Sequence, residues 1–258
     1  MKEFFGFGGY TREVEGYMSW QHLLFVSILM IIMVTLAIIL GNKNKNKTIE
    51  EKDKVLIYAA ILIDGFELFK IIINSFKAND ALNFLNDLPL FLCSIQLITI
   101  PLAAFSKGKL KEASKDFVVI FGILGAFFGT YFAGNNYSSY PVLSFDNVVS
   151  GITHSISGFT SLYIMISKSA SMKKENIYIT FSIMLGFCIM AYCANLILET
   201  NYMFLVRGDG TPYDILYNLT NGGIIYSLLV LLLFIVYIVI FYTIFMFMNK
   251  NDFFKKIT

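Results

Sequence analysis

The sequence predicts an all-α, polytopic membrane protein, in which residues 1–258 form a single transmembrane domain built as a seven-helix bundle. The first observation is composition: 57% of the residues are apolar and 15% are charged, whereas about a quarter are charged in a soluble domain. The second is that apolar stretches of about 17–25 residues, the length that crosses a bilayer, recur along the chain. We therefore expect multi-pass insertion in the cell membrane.

Seven apolar stretches define the predicted spans. The first and the last contain no charged residue, and the last is long enough to tilt in the bilayer. The second carries three charged side chains, which makes it the most polar of the set. The spans lie near residues 23–40, 55–74, 88–105, 117–133, 148–167, 177–198 and 224–248.

Lysine and arginine residues outside the spans predict the orientation. Fifteen of them fall in loops one, three and five and in the C-terminal tail, and four fall in the N-terminal segment and the remaining loops. Because positive charge concentrates on the cytoplasmic side, the N-terminus should be outside and the C-terminus inside. The net charge of +2 leaves no basic excess for nucleic acid, so the expected partners are membrane lipids. The sequence does not define the oligomeric state.

Polar side chains inside spans are costly and therefore mark candidate functional positions. Span two contains Asp64, Glu67 and Lys70, and the last two are spaced to form an ion pair on one helix face. Such a pair can equally be a structural lock between helices. Span three contains Cys93 and Gln96, and the later spans contribute His154, Asn195 and Glu199.

The predicted orientation gathers these groups at one depth. Cys93 and His154 lie five or six residues inside spans that run inward, which is about 8–9 Å below the outer boundary. Glu67 lies in the outer half of its span, and three further residues lie at outer span ends: His22, Asn195 and Glu199. The sequence therefore predicts a pocket that opens to the outer leaflet.

A cysteine beside a histidine can act as a nucleophile with a general base. Asn195 or Gln96 can then donate to an oxyanion, and Glu67 or Glu199 can orient the imidazole. The plainer interpretation is that Cys93 is a small packing residue and His154 a satisfied polar one. No spacing typical of a metal site is present, and acyl chemistry of this kind needs no cofactor.

Residues 88–93 read L-P-L-F-L-C and resemble the L-P-L-H-L-C motif of the YwaF family of bacterial integral membrane proteins. Residues 201–205, N-Y-M-F-L, and the positions of His22, His154 and Asn195 extend the resemblance over most of the chain. Two positions depart from the pattern, because Phe91 replaces the motif histidine and Ser94 replaces a common acidic residue.

That family is related to transmembrane protein 164, which is regarded as an acyltransferase of ether phospholipids that uses a cysteine and a histidine. The resemblance implies Cys93 as nucleophile and His154 as base, with Asn195, Asn201 and Tyr202 as pocket residues. The leading hypothesis is thus an outer-leaflet lipid acyltransferase or acyl hydrolase. The alternatives are a transporter or receptor that holds a small solute or lipid with its intramembrane charges, and a structural subunit of a larger complex.

Overall fold

The computed structural model describes residues 2–80 and 82–250, and these residues form helices and loops without any β-strand. The tail lysines Lys255 and Lys256, which contribute to the predicted orientation, lie outside the described residues. The helices are α1 (Lys2–Phe5), α2 (Trp20–Asn44), α3 (Ile49–Ala78), α4 (Gln96–Phe105), α5 (Gly108–Tyr131), α6 (Gly134–Ser139), α7 (Phe145–Ile166), α8 (Lys174–Leu198), α9 (Asp214–Thr220) and α10 (Gly223–Lys250), with 3₁₀ turns at Asn83–Asn86 and Tyr202–Phe204.

The all-helical membrane class predicted from the sequence is confirmed. Among the described residues, four helical stretches are long and apolar enough to cross a membrane: Trp20–Asn44, Gly108–Ser139, Lys174–Leu198 and Gly223–Phe247. They contain the first, fourth and sixth predicted spans and all but the last residue of the seventh. The second predicted span falls within α3, which has 30 residues, and the fifth falls within α7, which has 22 residues, except for its last residue.

The third predicted span, 88–105, is helical only in its second half. Residues 88–95 form turns, and α4 has only 10 residues, or about 15 Å of helix. Pro89 is the cause at the sequence level, since proline restricts the residue before it and donates no N–H. The turn ends where the Ile95 N–H donates to the Phe91 carbonyl at 3.0 Å. Cys93 therefore lies in a turn that leads into a helix, rather than inside the helix.

Side-chain caps fix the starts of α3 and α7. At α3 the Thr48 hydroxyl accepts from the Glu51 N–H at 3.3 Å, and the Glu51 carboxylate accepts from the Thr48 N–H at 3.2 Å. At α7 the Ser144 hydroxyl accepts from the Asn147 N–H at 3.3 Å. Each cap typically stabilises its helix by about 1 kcal/mol. The caps set the register of the two helices that carry Glu67 and His154.

Close packing of α5 against α7 forms the centre of the bundle. A Cβ added at Gly122 would lie 2.9 Å from the Ser157 carbonyl oxygen, and one added at Gly158 would lie 2.6 Å from the Cβ of Ala126. The Ser161 hydroxyl donates to the Val119 carbonyl at 2.8 Å. Small residues of this kind let helix backbones approach within a membrane, and hydroxyls hydrogen-bond between helices.

Charged residues cluster at both ends of the bundle. At one end, Asp53 of α3 accepts from Lys111 at 2.7 Å and from Lys115 at 2.6 Å. At the other end, Lys77 donates to Asp146 at 2.8 Å. Asp53 and Lys77 are separated by 24 residues of α3, or about 36 Å. The helices between these two ends expose mainly apolar side chains.

The buried carboxylate of Asp116 joins three parts of the fold. It accepts from the Met172 N–H at 3.0 Å, the Asn176 amide at 2.9 Å and the Tyr242 hydroxyl at 2.9 Å. These partners belong to the α7–α8 loop, α8 and α10, whereas Asp116 belongs to α5. Removing the carboxylate leaves several buried donors without an acceptor, which is strongly destabilising.

We expect Asp116→Ala to lower the free energy of unfolding by about 3 kcal/mol or more. Thermal unfolding of the purified protein in detergent measures the effect. The control is Glu175→Ala, which removes an exposed carboxylate near the start of α8 and should change the melting temperature little. An Asp116→Ala protein with an unchanged melting temperature would show that these hydrogen bonds of Asp116 do not stabilise the fold.

Candidate functional site

A small cavity lies between α3, α7 and the turn before α4. Its volume is about 40 Å³, which holds a few water molecules at most. It can therefore accommodate a single reacting group but not a whole lipid. Its lining combines a thiol, an imidazole, an ion pair, four hydroxyls and two apolar side chains: Cys93, His154, Glu67, Lys70, Ser94, Ser150, Thr153, Ser157, Ile63 and Leu97.

The position of the proton on His154 follows from its hydrogen bond. The ring Nδ1 lies 2.8 Å from the carbonyl oxygen of Ser150, one turn earlier in α7. A carbonyl oxygen only accepts, so Nδ1 carries the proton and donates. In the neutral ring, Nε2 then has the free lone pair. His154 is thus oriented to accept a proton at Nε2.

Cys93 lines the same cavity as His154. Because Nδ1 of the imidazole is engaged by Ser150, the ring nitrogen that is available to the thiol is Nε2. A nucleophile, a base beside it and a third group that orients the base form the arrangement used in covalent catalysis. Here the orienting group is the backbone carbonyl of Ser150, not a carboxylate.

Two glycines of α5 form the wall behind the thiol and the imidazole. A Cβ at Gly129 would lie 2.0 Å from Nε2 and 2.1 Å from Cδ2 of His154, and one at Gly125 would lie 3.4 Å from the Cβ of Cys93. The first two distances are far below any real carbon contact. The imidazole therefore occupies space that exists only because residue 129 is glycine.

Glu67 and Lys70 form the ion pair that their spacing predicts. The Lys70 Nζ lies 2.5 Å from Oε1 of Glu67, and the side chains are 19% and 12% exposed. An ammonium group has three protons, so Lys70 retains donors beyond the one used by Glu67. Asp64 does not line this cavity, and its Oδ1 has no hydrogen-bond partner among the described residues.

Backbone N–H groups of the turn are a second source of positive potential. The N–H groups of Cys93 and Ser94 donate to no acceptor within the described ranges. They precede α4, where the unpaired N–H groups of a helix start favour negative charge. Together with the Lys70 ammonium, they are the candidate donors to an anion bound in the cavity.

Gln96 lies next to this site but is not among the residues that line the cavity. Its side chain is fully buried, and its Oε1 accepts from the Thr99 hydroxyl at 3.2 Å. Its Nε2 has no partner in the part of the chain that the structure describes. The amide thus keeps a free donor one turn from Cys93, outside the cavity lining.

His22 is not part of the cavity. Its Nδ1 accepts from the Met18 N–H at 3.2 Å, and its Nε2 lies 3.1 Å from the Thr130 carbonyl oxygen, to which it donates. Its ring packs on that of Tyr137, with centroids 3.8 Å apart. With both ring nitrogens engaged and no exposed area, His22 joins the start of α2 to the end of α5.

Asn195, Asn201 and Tyr202 support the Cys93 turn from outside the cavity. Asn195 accepts from the Tyr202 N–H at 2.6 Å and donates to its carbonyl at 3.0 Å. The Tyr202 hydroxyl donates to the Leu85 carbonyl at 2.7 Å, and its ring meets that of Phe91 edge-on at 5.1 Å. The two motifs that carry the resemblance therefore pack on each other. Glu199 is exposed at the end of α8.

Asn201 holds the loop that follows. Its side-chain oxygen Oδ1 accepts from the Val206 and Arg207 N–H groups at 3.1 and 3.2 Å, and its side-chain amide nitrogen donates to the Arg207 carbonyl at 2.8 Å. Residues 207–209, which read R-G-D, thus belong to a hydrogen-bonded turn. The sequence did not predict four further residues at the site: Thr153, Leu97, Gly125 and Gly129. The only signal for them is a small or apolar residue at helical spacing, and this pattern is common to every span.

The described residues form a helical membrane protein in which a thiol, an imidazole and an ion pair surround a small internal cavity, which defines the class of helical membrane proteins with a polar internal site. The model of the TMEM164 family matches residues 17–253, and the chain belongs to that family. No curated protein and no solved structure matches the chain.

Proposed function

We propose that this chain is a multi-pass membrane enzyme that transfers or hydrolyses an acyl group of an outer-leaflet phospholipid, with Cys93 as nucleophile and His154 as base. The observation that carries the proposal is that Cys93 and His154 line one small cavity, in which Ser150 fixes the imidazole tautomer. Membership of the TMEM164 family supports the same conclusion.

The first half-reaction forms a thioester. His154 takes the thiol proton at Nε2, and the sulfur adds to the carbonyl carbon of the lipid ester. Lys70 and the N–H groups of Cys93 and Ser94 donate to the oxyanion. The carbon–oxygen ester bond then breaks, and the departing glycerol oxygen takes the proton from His154. The products are an acyl-Cys93 thioester and a lipid with one free hydroxyl.

The second half-reaction releases the acyl group. A hydroxyl of an acceptor lipid, or water, gives its proton to Nε2 as its oxygen adds to the thioester carbonyl. The carbon–sulfur bond breaks, and the Cys93 sulfur recovers the proton from His154. A lipid acceptor makes the protein an acyltransferase, and water makes it a hydrolase. Neither half-reaction requires a cofactor.

The proposal includes seven membrane crossings with the N-terminus outside. Seven helices coincide with the apolar stretches: α2, α3, α4, α5, α7, α8 and α10. Helix α4 is about half the length of a crossing, and the turns at 88–95 complete it. Irregular backbone is tolerated at membrane depth where it is buried in protein or lines a cavity, as the Cys93 turn does.

This topology predicts which positions an impermeant maleimide reaches in intact cells. We expect Glu13→Cys to be labelled at once, and Lys47→Cys to be labelled only after permeabilisation. The unsubstituted protein, which has three cysteines of its own, gives the background for both. The reverse labelling pattern would contradict the proposed orientation.

The catalytic proposal is tested by lipid analysis. Purified protein in vesicles is given a phospholipid with a labelled acyl chain and an unlabelled lysophospholipid, and the movement of label is followed. We expect transfer or release with the wild type and none with Cys93→Ala. Cys193→Ala removes an exposed cysteine outside the cavity and should leave the rate unchanged. Equal label movement with Cys93→Ala would overturn the proposal, and solute uptake that depends on Glu67 alone would favour a transporter.

A further inference from the structure

A second, larger depression lies beside the site, between α3 and α4. It has a volume of about 540 Å³ and is lined mainly by apolar side chains of α4, including Leu97, Pro101, Leu102 and Phe105, with Asp64 contributed by α3. This volume is in the range of small-molecule binding sites, whereas the Cys93 cavity is far below that range. We call this depression the α3–α4 groove.

The Cys93 cavity and the α3–α4 groove meet at Leu97, which lines both. On the opposite side the cavity is closed, because Gly125 and Gly129 of α5 lie directly against Cys93 and His154. A group bound to the Cys93 sulfur is too large to remain in about 40 Å³ if it carries a long chain. The α3–α4 groove is the neighbouring space that shares a lining residue, Leu97, with the cavity.

The direction of α4 suits a chain that extends from Cys93. The groove residues that follow Cys93 begin one turn after it and cover about 14 Å along the chain; they are Leu97, Ile98, Pro101, Leu102, Phe105 and Ser106. Pro101 has no N–H to donate to the Leu97 carbonyl, so the helix surface is irregular at the centre of the groove. Its lining is apolar apart from Asp64 and Ser106, and the Ser106 hydroxyl donates to the Leu102 carbonyl.

We infer that the α3–α4 groove binds the acyl chain that is attached to Cys93, with Leu97 at the passage between the two spaces and Leu102 and Phe105 against the distal part of the chain. This inference rests on the proposed function and adds the place where the hydrocarbon chain of the acyl group lies. The length of the α3–α4 groove, and not the size of the Cys93 cavity, then determines which acyl-chain lengths the protein accepts.

Filling the groove tests the inference. Wild type, Leu102→Trp and the control Leu228→Trp, which changes an exposed leucine of α10, are each given equal amounts of palmitoyl and octanoyl phospholipid. The acyl-Cys93 adducts are then quantified by mass spectrometry. We expect Leu102→Trp to lower the palmitoyl-to-octanoyl ratio by about tenfold, and Leu228→Trp to leave it as in the wild type. An unchanged ratio in Leu102→Trp, with adducts present, would overturn the inference.

A second measurement does not depend on catalysis or on the tryptophan variant. Cys93→Ala in vesicles is irradiated with a phospholipid whose acyl chain carries a diazirine near its end. We expect cross-links concentrated on Asp64, Leu102 and Phe105, with Asp64 as a reactive carboxyl trap. Cross-links spread evenly over the exposed residues of α10 would overturn the inference. A wild type that forms no adduct would refute the proposed function instead, and the cross-links alone would then decide the groove.

Discussion

Gly129→Ala should reduce acyl transfer about a hundredfold or more, although the new methyl group touches no substrate. The added Cβ would lie 2.0 Å from Nε2 of His154, so the imidazole must leave its observed position beside Cys93. A displacement of about 1 Å at a reacting group typically costs about a hundredfold in rate. The rate of labelled acyl transfer by purified protein in vesicles measures the effect.

Two glycines provide matched controls. Cβ atoms added at Gly65 of α3 and Gly186 of α8 would have no atom within 4 Å, so alanine at either position should leave the rate unchanged. Asp116→Ala is a further comparison: we expect a lower melting temperature but, in the folded protein, an unchanged site and transfer rate. A Gly129→Ala protein that transfers acyl groups at the wild-type rate would show that His154 need not hold its observed position.

His154→Asn should lower the transfer rate by a factor of about 10² to 10⁴, the usual contribution of a general base. Asparagine at this position has no ring nitrogen with a free lone pair to take the thiol proton. The melting temperature should change much less than the rate, because the role of His154 is chemical. Transfer rates and thermal unfolding are measured on the same preparations.

The second histidine of the chain is the control for this variant. His22→Asn breaks the hydrogen bonds to Met18 and Thr130, so we expect a lower melting temperature and, in the folded protein, a nearly normal rate. His154→Asn should therefore lower mainly the transfer rate, and His22→Asn should lower mainly the melting temperature. If both lowered the rate equally in folded protein, His154 would have no special role.

The helices could be predicted from the sequence because hydropathy over about 20 residues carries their signal. The stretch at 55–74 falls within α3, and the stretch at 148–167 falls within α7 except for its last residue, although each contains polar residues. The turn at 88–95 could not be predicted in the same way, since its residues are as apolar as those of a span. Only Pro89 marked the interruption, and proline alone does not tell a turn from a kinked helix.

The placement of Cys93 and His154 in one site could be predicted from their depth in the spans and from the motif, whereas the other contacts of the site could not. Asn195 and Tyr202 occur in the right motifs, but their hydrogen bonds hold each other and the turn, which no spacing rule reveals. Gly129 matters because it has no side chain and so leaves room for the imidazole. A motif search for chemically active side chains does not find such a residue. His22 has the depth expected of a pocket residue, yet both of its nitrogens are engaged elsewhere.

The most direct test of a covalent mechanism is a search for the thioester itself. Wild-type protein is incubated with phospholipid and no acceptor, denatured in acid to preserve thioesters, digested and examined by mass spectrometry for the peptide that contains Cys93. We predict an acyl adduct on Cys93 that is removed by neutral hydroxylamine and is absent in His154→Asn. Label movement between lipids with an unmodified Cys93 peptide in the wild type at every time point would contradict a Cys93 nucleophile.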